Sequence, residues 1–362
     1  MGFICGLVGL PNVGKSTVFN ALTRSRAEAS NYPFTTSEPN VGIVTVPDER
    51  LETISRYIPA KKTVSTTMRF VDIAGLAKGA SKGEGLGNKF LGHIREVTAI
   101  AHVVRCFDDE LVLGGTDPIT DIETINTELM IADLETLEKR KTKLDKLARS
   151  GDKESRFQVA VVDRLMDSLN DGQPIRFMGF ESEAERAFVD SLTLLTQKPV
   201  LYICNVSDSA DVDSAAVRGV MGLAERESAR AIALAGKLET EIIEIDDPQE
   251  QIEFLREMGL RESGLKQVIQ AGYELLGLET FFTAGGKENR AWTIKQNTRA
   301  PQAAGVIHSD FEKGFIRAKV FHFDDLVKHQ SEQAVKEAGL LRLEGKDYVV
   351  RDGDIMEFLF NV

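Results

Sequence analysis

FICGLVGLPNVGKSTVFNALTRS, residues 3–25, decides the fold. Its opening FICGLVG is an apolar run of strand length, and KSTVFNALTRS (15–25) sets Val18, Phe19 and Leu22 at helical spacing. Between them GLPNVGKS, Gly9–Ser16, matches the phosphate-loop pattern G-x-x-x-x-G-K-[ST]. Its glycines let backbone N–H groups turn inward on phosphate oxygens, and the helix that follows adds the positive end of its dipole. Lys15 is placed to reach the β- and γ-phosphates, Ser16 to ligate Mg²⁺, and Thr17 to touch the α-phosphate. The pattern is specific because a strand precedes it and a helix follows; a chance glycine-rich turn has neither.

Outward from this loop the same texture repeats. NVGIVTV (40–46), MRFVDIA (68–74), IAHVVRCF (100–107) and KPVLYICNV (198–206) are short apolar runs, and helical stretches separate them. That alternation predicts an α/β domain with a doubly wound, mostly parallel sheet. Two of these segments carry chemistry. NYPFTTSEPN (31–40) can bring a Thr hydroxyl to a metal, and Asp72 at a strand end can hold a Mg²⁺ water while the Gly75 N–H meets a γ-phosphate. In this order and spacing the pieces predict a switch-type nucleoside triphosphatase. The next residue, Leu76, has no polar atom with which to hold an attacking water.

Base selection is open on the residues alone. CNVSD (204–208) keeps the Asn and Asp of the guanine reader Asn-Lys-x-Asp, but Val206 stands where the Lys stem covers the base. A carboxylate accepts from guanine and repels the N1 acceptor of adenine, so Asn205 and Asp208 permit guanine without demanding it. AGK (235–237) is a candidate loop to close over the base.

The alternation breaks at DIETINTELMIADLETLEKRKTKLDKLA (121–148), a long charged helix with Leu134, Leu137, Leu144 and Leu147 as a narrow seam. After RSGDKES, a second helix shows Phe157, Val161, Leu165, Met166 and Leu169 on one face, which predicts an antiparallel helical hairpin. From about residue 279 the chain reads as a small α+β domain, with TFFTAG, RAWTI, FIRAKVFHF and KDYVVRDGDIMEFLFNV strand-like and PQAAGVIHSDFEKG (301–314) as one helix. Lys313, Arg317 and Lys319 form a local basic cluster there.

Bulk properties narrow the classes. The formal net charge of −12 argues against non-specific coating of nucleic acid and against DNA as a partner. No apolar run is long enough to span a membrane, and the N-terminal stretch lacks the basic region and cleavage site of a signal peptide. Cys5, Cys106 and Cys204 lie in apolar runs without metal-ligand spacing, so they read as reduced, buried thiols of a cytoplasmic protein.

With these pieces together the chain resembles the YchF / Obg-like ATPase family of translation-factor P-loop NTPases. The matching residues are GLPNVGKST, NYPFTT, FVDIAGL, KGASKGEGLGNKFL, VVRCF, INTEL, AGYELL, TAGGKE with RAW, DFEKGFIRA and GKDY, spread over the whole chain. The resemblance implies an Obg-type G domain over 1–278, interrupted by the hairpin at about 124–196, and a C-terminal β-grasp (TGS) domain over 279–362. It implies ATP hydrolysis in preference to GTP, Mg²⁺ dependence and binding to the ribosome or ribosomal RNA; a monomer is the expected state. Residue by residue, it places Asn12, Val13, Gly14, Lys15, Ser16 and Thr17 on the phosphates, Ser16 and Thr36 on Mg²⁺, and Val206, after Asn205, on the base. Asn12 also matches the loop Asn that helps bind an activating K⁺ in related switch proteins. Relatives usually end the base segment in Glu; here it ends in Asp208, which keeps a GTP-preferring switch as an alternative.

An apolar residue in place of the catalytic glutamine is what this family carries, so Leu76 agrees with the resemblance. Catalysis then rests on Lys15, Asp72, the Gly75 N–H, Mg²⁺ and K⁺, and the water is placed by another group. The His that follows the RCF segment in bacterial members is absent from DDELVLGG (108–115). His93 and His102 read as structural, and Lys78 and Lys82 in the glycine-rich 79–90 loop are candidates to approach phosphate. A nucleotide-gated binding protein with incidental hydrolysis is the competing class; a small-molecule kinase is disfavoured, because the insertion is a hairpin and not an arginine-lined lid.

Overall fold

The parallel strands expected around the phosphate loop form one sheet. The computed structural model describes residues 3–24, 40–74, 86–107, 117–245 and 247–361. Thr36, Gly75, Leu76, Lys78, Lys82 and the 108–115 stretch lie outside the described residues. Two compact units emerge, Met1–Gly42 with Arg69–Val268, and Ile43–Met68 with Ile269–Val362.

The first sheet contains β1 (Ile4–Val8), β2 (Val41–Thr45), β4 (Thr67–Asp72), β5 (Ala99–Arg105), β6 (Val200–Asn205) and β7 (Arg230–Leu234), in the order β2-β4-β1-β5-β6-β7. The run β4, β1, β5, β6, β7 is parallel. All of β5 and β6 is buried, as parallel strands covered on both faces must be. β7 carries only a short apolar alternation, RAIAL, and was not among the strands expected from the sequence.

Helices α1 (Lys15–Arg24), α3 (Leu86–Glu96), α7 (Ala215–Arg226), α8 (Gly236–Ile243) and α9 (Pro248–Glu257) belong to this unit, and α10 (Gly264–Leu275) runs across the boundary between the two units. α4 (Pro118–Arg149) and α5 (Lys153–Asn170) are the expected hairpin, followed by the short α6 (Glu183–Ser191). Asp117 caps α4 ahead of Pro118, and Asp152 caps α5 by accepting from the Ser155 N–H at 3.0 Å. At 32 residues α4 is about 48 Å long at ~1.5 Å per residue, and it serves two cores. Ile122, Ile125 and Leu129 pack with the sheet; Leu137 and Leu144 pack with Val161, Val162, Leu165 and Leu169 of α5. The expected leucine seam stops short of its last member. Leu147 is 54% exposed because it lies at the open tip of the hairpin, where Phe157 of α5 is itself 37% exposed.

The second unit is built on a sheet of β3 (Lys62–Val64), β8 (Leu278–Thr283), β9 (Glu288–Lys295), β10 (Phe315–His322), β11 (Arg342–Glu344) and β12 (Asp354–Phe360), ordered β11-β10-β12-β8-β9-β3. Its helices are α2 (Glu49–Tyr57), α11 (Ala300–Ile307), α12 (Ser309–Lys313), α13 (Phe323–His329) and α14 (Glu332–Glu337). The stretch 43–68 lies early in the chain yet folds here. Leu51, Ile54 and Ile58 share a core with Phe282, Phe321 and Ile355, and β3 pairs in parallel with β9. Asn289, fully buried, donates to the Ile58 carbonyl at 2.7 Å and locks that junction. The single helix expected over 301–314 is two, because His308 leaves the helical conformation (φ −159°) and its ring accepts from the Asp310 N–H, capping α12. No helix among the described residues is long and apolar enough to cross a membrane.

Candidate phosphate and nucleotide site

The register of the first sheet brings the sequence motifs to one edge. Leu7 pairs with Asp72, Val8 with His102, Arg105 with Asn205, and Asn205 with Leu234. The carboxyl ends of β1, β4, β6 and β7 therefore release the phosphate loop, Asp72, Asn205 and the Ala235–Lys237 loop on the same side. Open α/β sheets bind ligands at that edge.

The loop itself holds an unusual backbone. Asn12 and Gly14 both have positive φ, 65° and 84°. A side chain at 14 would put its Cβ 2.1 Å from Asn205 Nδ2, so only glycine fits. α1 starts at Lys15 with no acidic residue in its first turn, which leaves its positive end unneutralised. Val13 points into the core, while Asn12 and Ser16 are exposed and Thr17 is half-buried. Lys15 Nζ donates to Asp72 Oδ1 in a largely buried ion pair, with the two side chains 10% and 16% exposed. The Asp72 N–H in turn donates to the Asn40 carbonyl at 2.9 Å.

Asn205 braces this loop. Its Nδ2 donates to the Val13 carbonyl at 2.9 Å, and its Oδ1 accepts from the Gly236 N–H at 3.2 Å. One buried amide thus ties the phosphate loop to the loop after β7. Glu239, one turn further on, is buried and accepts from Ser263 Oγ and the Gly264 N–H, both at 2.6 Å. Burial pushes its carboxyl above the ordinary range, and those hydrogen bonds pull the other way. Sequence reading passed over Glu239, since a lone Glu in an amphipathic helix carries no signal.

The remaining base residues stand differently. Val206 is buried in the core of the sheet, so what it offers the edge is backbone; its N–H donates to the Leu234 carbonyl at 3.0 Å. Asp208 is exposed, and its Oδ1 accepts from the Ala210 N–H and Ser209 Oγ, capping the one-turn helix Ser209–Asp213. Those hydrogen bonds hold its carboxyl below the usual range, the backbone one foremost.

The two histidines separate. His93 is exposed on α3; His102 lies inside β5 against Tyr202, their ring centroids 5.8 Å apart. Burial, and next the Arg176 guanidinium, push the His102 imidazole down to about 3, so it is neutral. In the C-terminal unit the expected basic cluster is partly neutralised, because Lys319 pairs with Glu357 at 2.9 Å while Lys313 and Arg317 are exposed.

The donor set suits a hard cation shared with phosphates. Among the described residues no group of three or more His, Cys, Asp or Glu could cage a metal. What the edge offers is the exposed Ser16 hydroxyl and the Asp72 carboxylate, oxygen donors of the kind that Mg²⁺ uses while keeping waters and substrate oxygens.

Comparison with known proteins agrees with this geometry. Residues 4–164 match a family model described as a 50S ribosome-binding GTPase, and residues 278–361 match the C-terminal model of YchF GTPases, described as a protein of unknown function. The ribosome-binding ATPase YchF of Haemophilus influenzae is 51% identical over the full length of both chains, and that of Bacillus subtilis is likewise 51% identical over both. The solved YchF GTPase of Schizosaccharomyces pombe superposes with a TM-score of 0.90 at 37% identity, covering 99% of this chain and 98% of that one. A GTP-binding protein of Pyrococcus horikoshii shares the fold, with a TM-score of 0.63 at 18% identity over the full length of both. From the phosphate loop to the last strand, the chain belongs to the YchF family.

Proposed function

We propose that this P-loop NTPase is a slow molecular switch that hydrolyses ATP, GTP less well, and binds the ribosome in a nucleotide-dependent way. The catalytic unit is the G domain, 1–278 with its hairpin at about 124–196, and the C-terminal 279–362 is a TGS domain to whose sheet Lys62–Val64 contributes a strand. The reading is carried by the braced phosphate loop beside Asp72. The relatives' names, ribosome-binding ATPase, supply the nucleotide and the partner.

On binding, Lys15 exchanges Asp72 for the β- and γ-phosphate oxygens, and the inward N–H groups of residues 12–17 and the α1 terminus take the rest of the charge. Ser16, Thr36 and Asp72 would hold Mg²⁺; the ion, when bound, would supply charge that offsets the developing negative charge on the phosphates. Asn205 keeps the loop shaped throughout. The relatives' names support the preference for ATP, while Asp208, whose Oδ1 caps a one-turn helix, keeps a GTP-preferring switch as the alternative. Leu76 holds no water, so turnover by the bare chain falls far below about 1 s⁻¹, as in unassisted switches. Asn12 would hold K⁺, whose charge would speed turnover.

Calorimetry with ATP and GTP, on the wild type and on Asp208→Glu, tests the base preference. Single-turnover hydrolysis with and without K⁺ and ribosomes tests the switch. Tighter binding of GTP overturns the preference, and fast turnover by the bare chain in Na⁺ buffer overturns the slow-switch reading.

A further inference from the structure

One face of α4 carries charge that the fold does not use. Between residues 138 and 149 the helix holds six cations against two carboxylates, in a chain of net charge −12. Three of the six have intramolecular explanations. Lys141 pairs with Asp163 across the hairpin at 2.5 Å, and Lys146 and Arg149 sit in the last turn, where cations complement the helix dipole. Lys139 and Lys143 have none, and Arg140 has only its contact with an aromatic ring. They lie more than a turn from the helix end, are exposed, and line an open groove of about 310 Å³ with Thr136, Ser191 and Leu192.

No carboxylate lines that groove, and no described residue makes an ion pair with these three cations. Lys139 and Lys143 stand at i and i+4, where like charges repel and cost an isolated helix about 0.2–0.5 kcal/mol. Arg140 is held in place, its guanidinium 5.9 Å from the centre of the Phe188 ring on α6. The hydroxyls donate to their own helices, Thr136 to the Ala132 carbonyl and Ser191 to the Phe188 carbonyl. The groove's free donors are therefore all cationic, and phosphate oxygens are the acceptors that suit them.

The geometry points to a docking site for the phosphodiester backbone of RNA. Four residues of helix rise separate Lys139 from Lys143 by about 6 Å, close to the spacing of successive phosphates on one strand. Arg140 between them offers a planar fork to one phosphate. In a chain of net charge −12 most of the surface repels a polyanion, and this groove is a local exception. The inference rests on the ribosome reading above and names the surface that would meet ribosomal RNA.

The test is the full-length Lys139→Glu, Lys143→Glu variant, with Lys336→Glu as a surface control. Three readouts are taken: pelleting with purified ribosomes across a salt series, binding to deproteinised ribosomal RNA, and basal ATP hydrolysis. Ribosome and RNA affinity are expected to fall at least about tenfold, and the log–log salt slope to drop by about 1.4–1.8 for two lost phosphate contacts. Basal hydrolysis and the control stay unchanged. Wild-type affinity in the variant overturns the site while the ribosome reading stands. Loss of ribosome pelleting with no wild-type binding to the bare RNA assigns the groove to a ribosomal protein and also overturns it. A wild type that does not pellet at all removes both readings together.

Discussion

Removing the Asn205 amide isolates the brace from every group that touches phosphate directly. Asn205→Ala leaves the Val13 carbonyl and the Gly236 N–H facing a void where Nδ2 and Oδ1 stood at 2.9 and 3.2 Å. The site is buried, and each abandoned group costs about 1–3 kcal/mol, so about 2–6 kcal/mol is at stake. Part is read as stability in urea unfolding. The rest is read as nucleotide affinity by calorimetry, at about 1.4 kcal/mol per tenfold, with an expected loss of at least tenfold. Gly14→Ala provides the cross-check. Its Cβ collides with Asn205 Nδ2 at 2.1 Å, and φ of 84° adds about 1–2 kcal/mol of backbone strain. In the Asn205→Ala background the collision is gone and only the strain remains. The double-mutant cycle should therefore show a coupling of at least about 1 kcal/mol. Strictly additive costs, or an Asn205→Ala protein with wild-type stability and affinity, would refute the brace.

Two further outcomes follow from the same geometry. Asp72→Asn frees Lys15 from its partner, so nucleotide binding in EDTA should hold or tighten severalfold, while Mg²⁺-dependent hydrolysis falls by about 10–100-fold, as for lost outer-shell metal partners; equal weakening with and without Mg²⁺ counts against the exchange. His102 has a folded value of about 3 against 6.5 unfolded, so the unfolded chain binds the extra proton. The stability that neutral His102 contributes is whole above about pH 6.5 and is lost, at up to about 1.4 kcal/mol per pH unit, as pH falls toward 3. Urea unfolding at pH 7.5 and 5.5 should show a shallower pH dependence for His102→Gln than for the wild type, and equal slopes would remove His102 from the acid response.

The α/β class, the phosphate loop and the hairpin were legible because each is written in near neighbours. A strand, a loop of eight residues and a helix lie within Phe3–Arg24, and periodicity of 3.6 marks α4 and α5. Signals of this kind fade at element ends. The leucine period continues through Leu147 although the hairpin has no partner left to cover it, and the 301–314 pattern runs through His308 although the ring breaks the helix to cap the next. Counting charges also misleads without a partner map: Lys319 is spent on Glu357, whereas Lys139 and Lys143, unremarkable inside a charged helix, are left with none.

By itself, then, the sequence determined which groups can hold phosphate and in what order the strands and helices appear, since local sterics and hydrophobic period set both. Tertiary structure alone decided which of those groups meet. Asn205 meets Val13 across 192 residues of chain, Lys15 meets Asp72 across 57, and Lys62–Val64 joins a sheet formed mostly after residue 277. The physical reason is that buried hydrogen bonds and ion pairs are satisfied by whatever the fold brings within about 3 Å, and sequence separation carries no information about that distance.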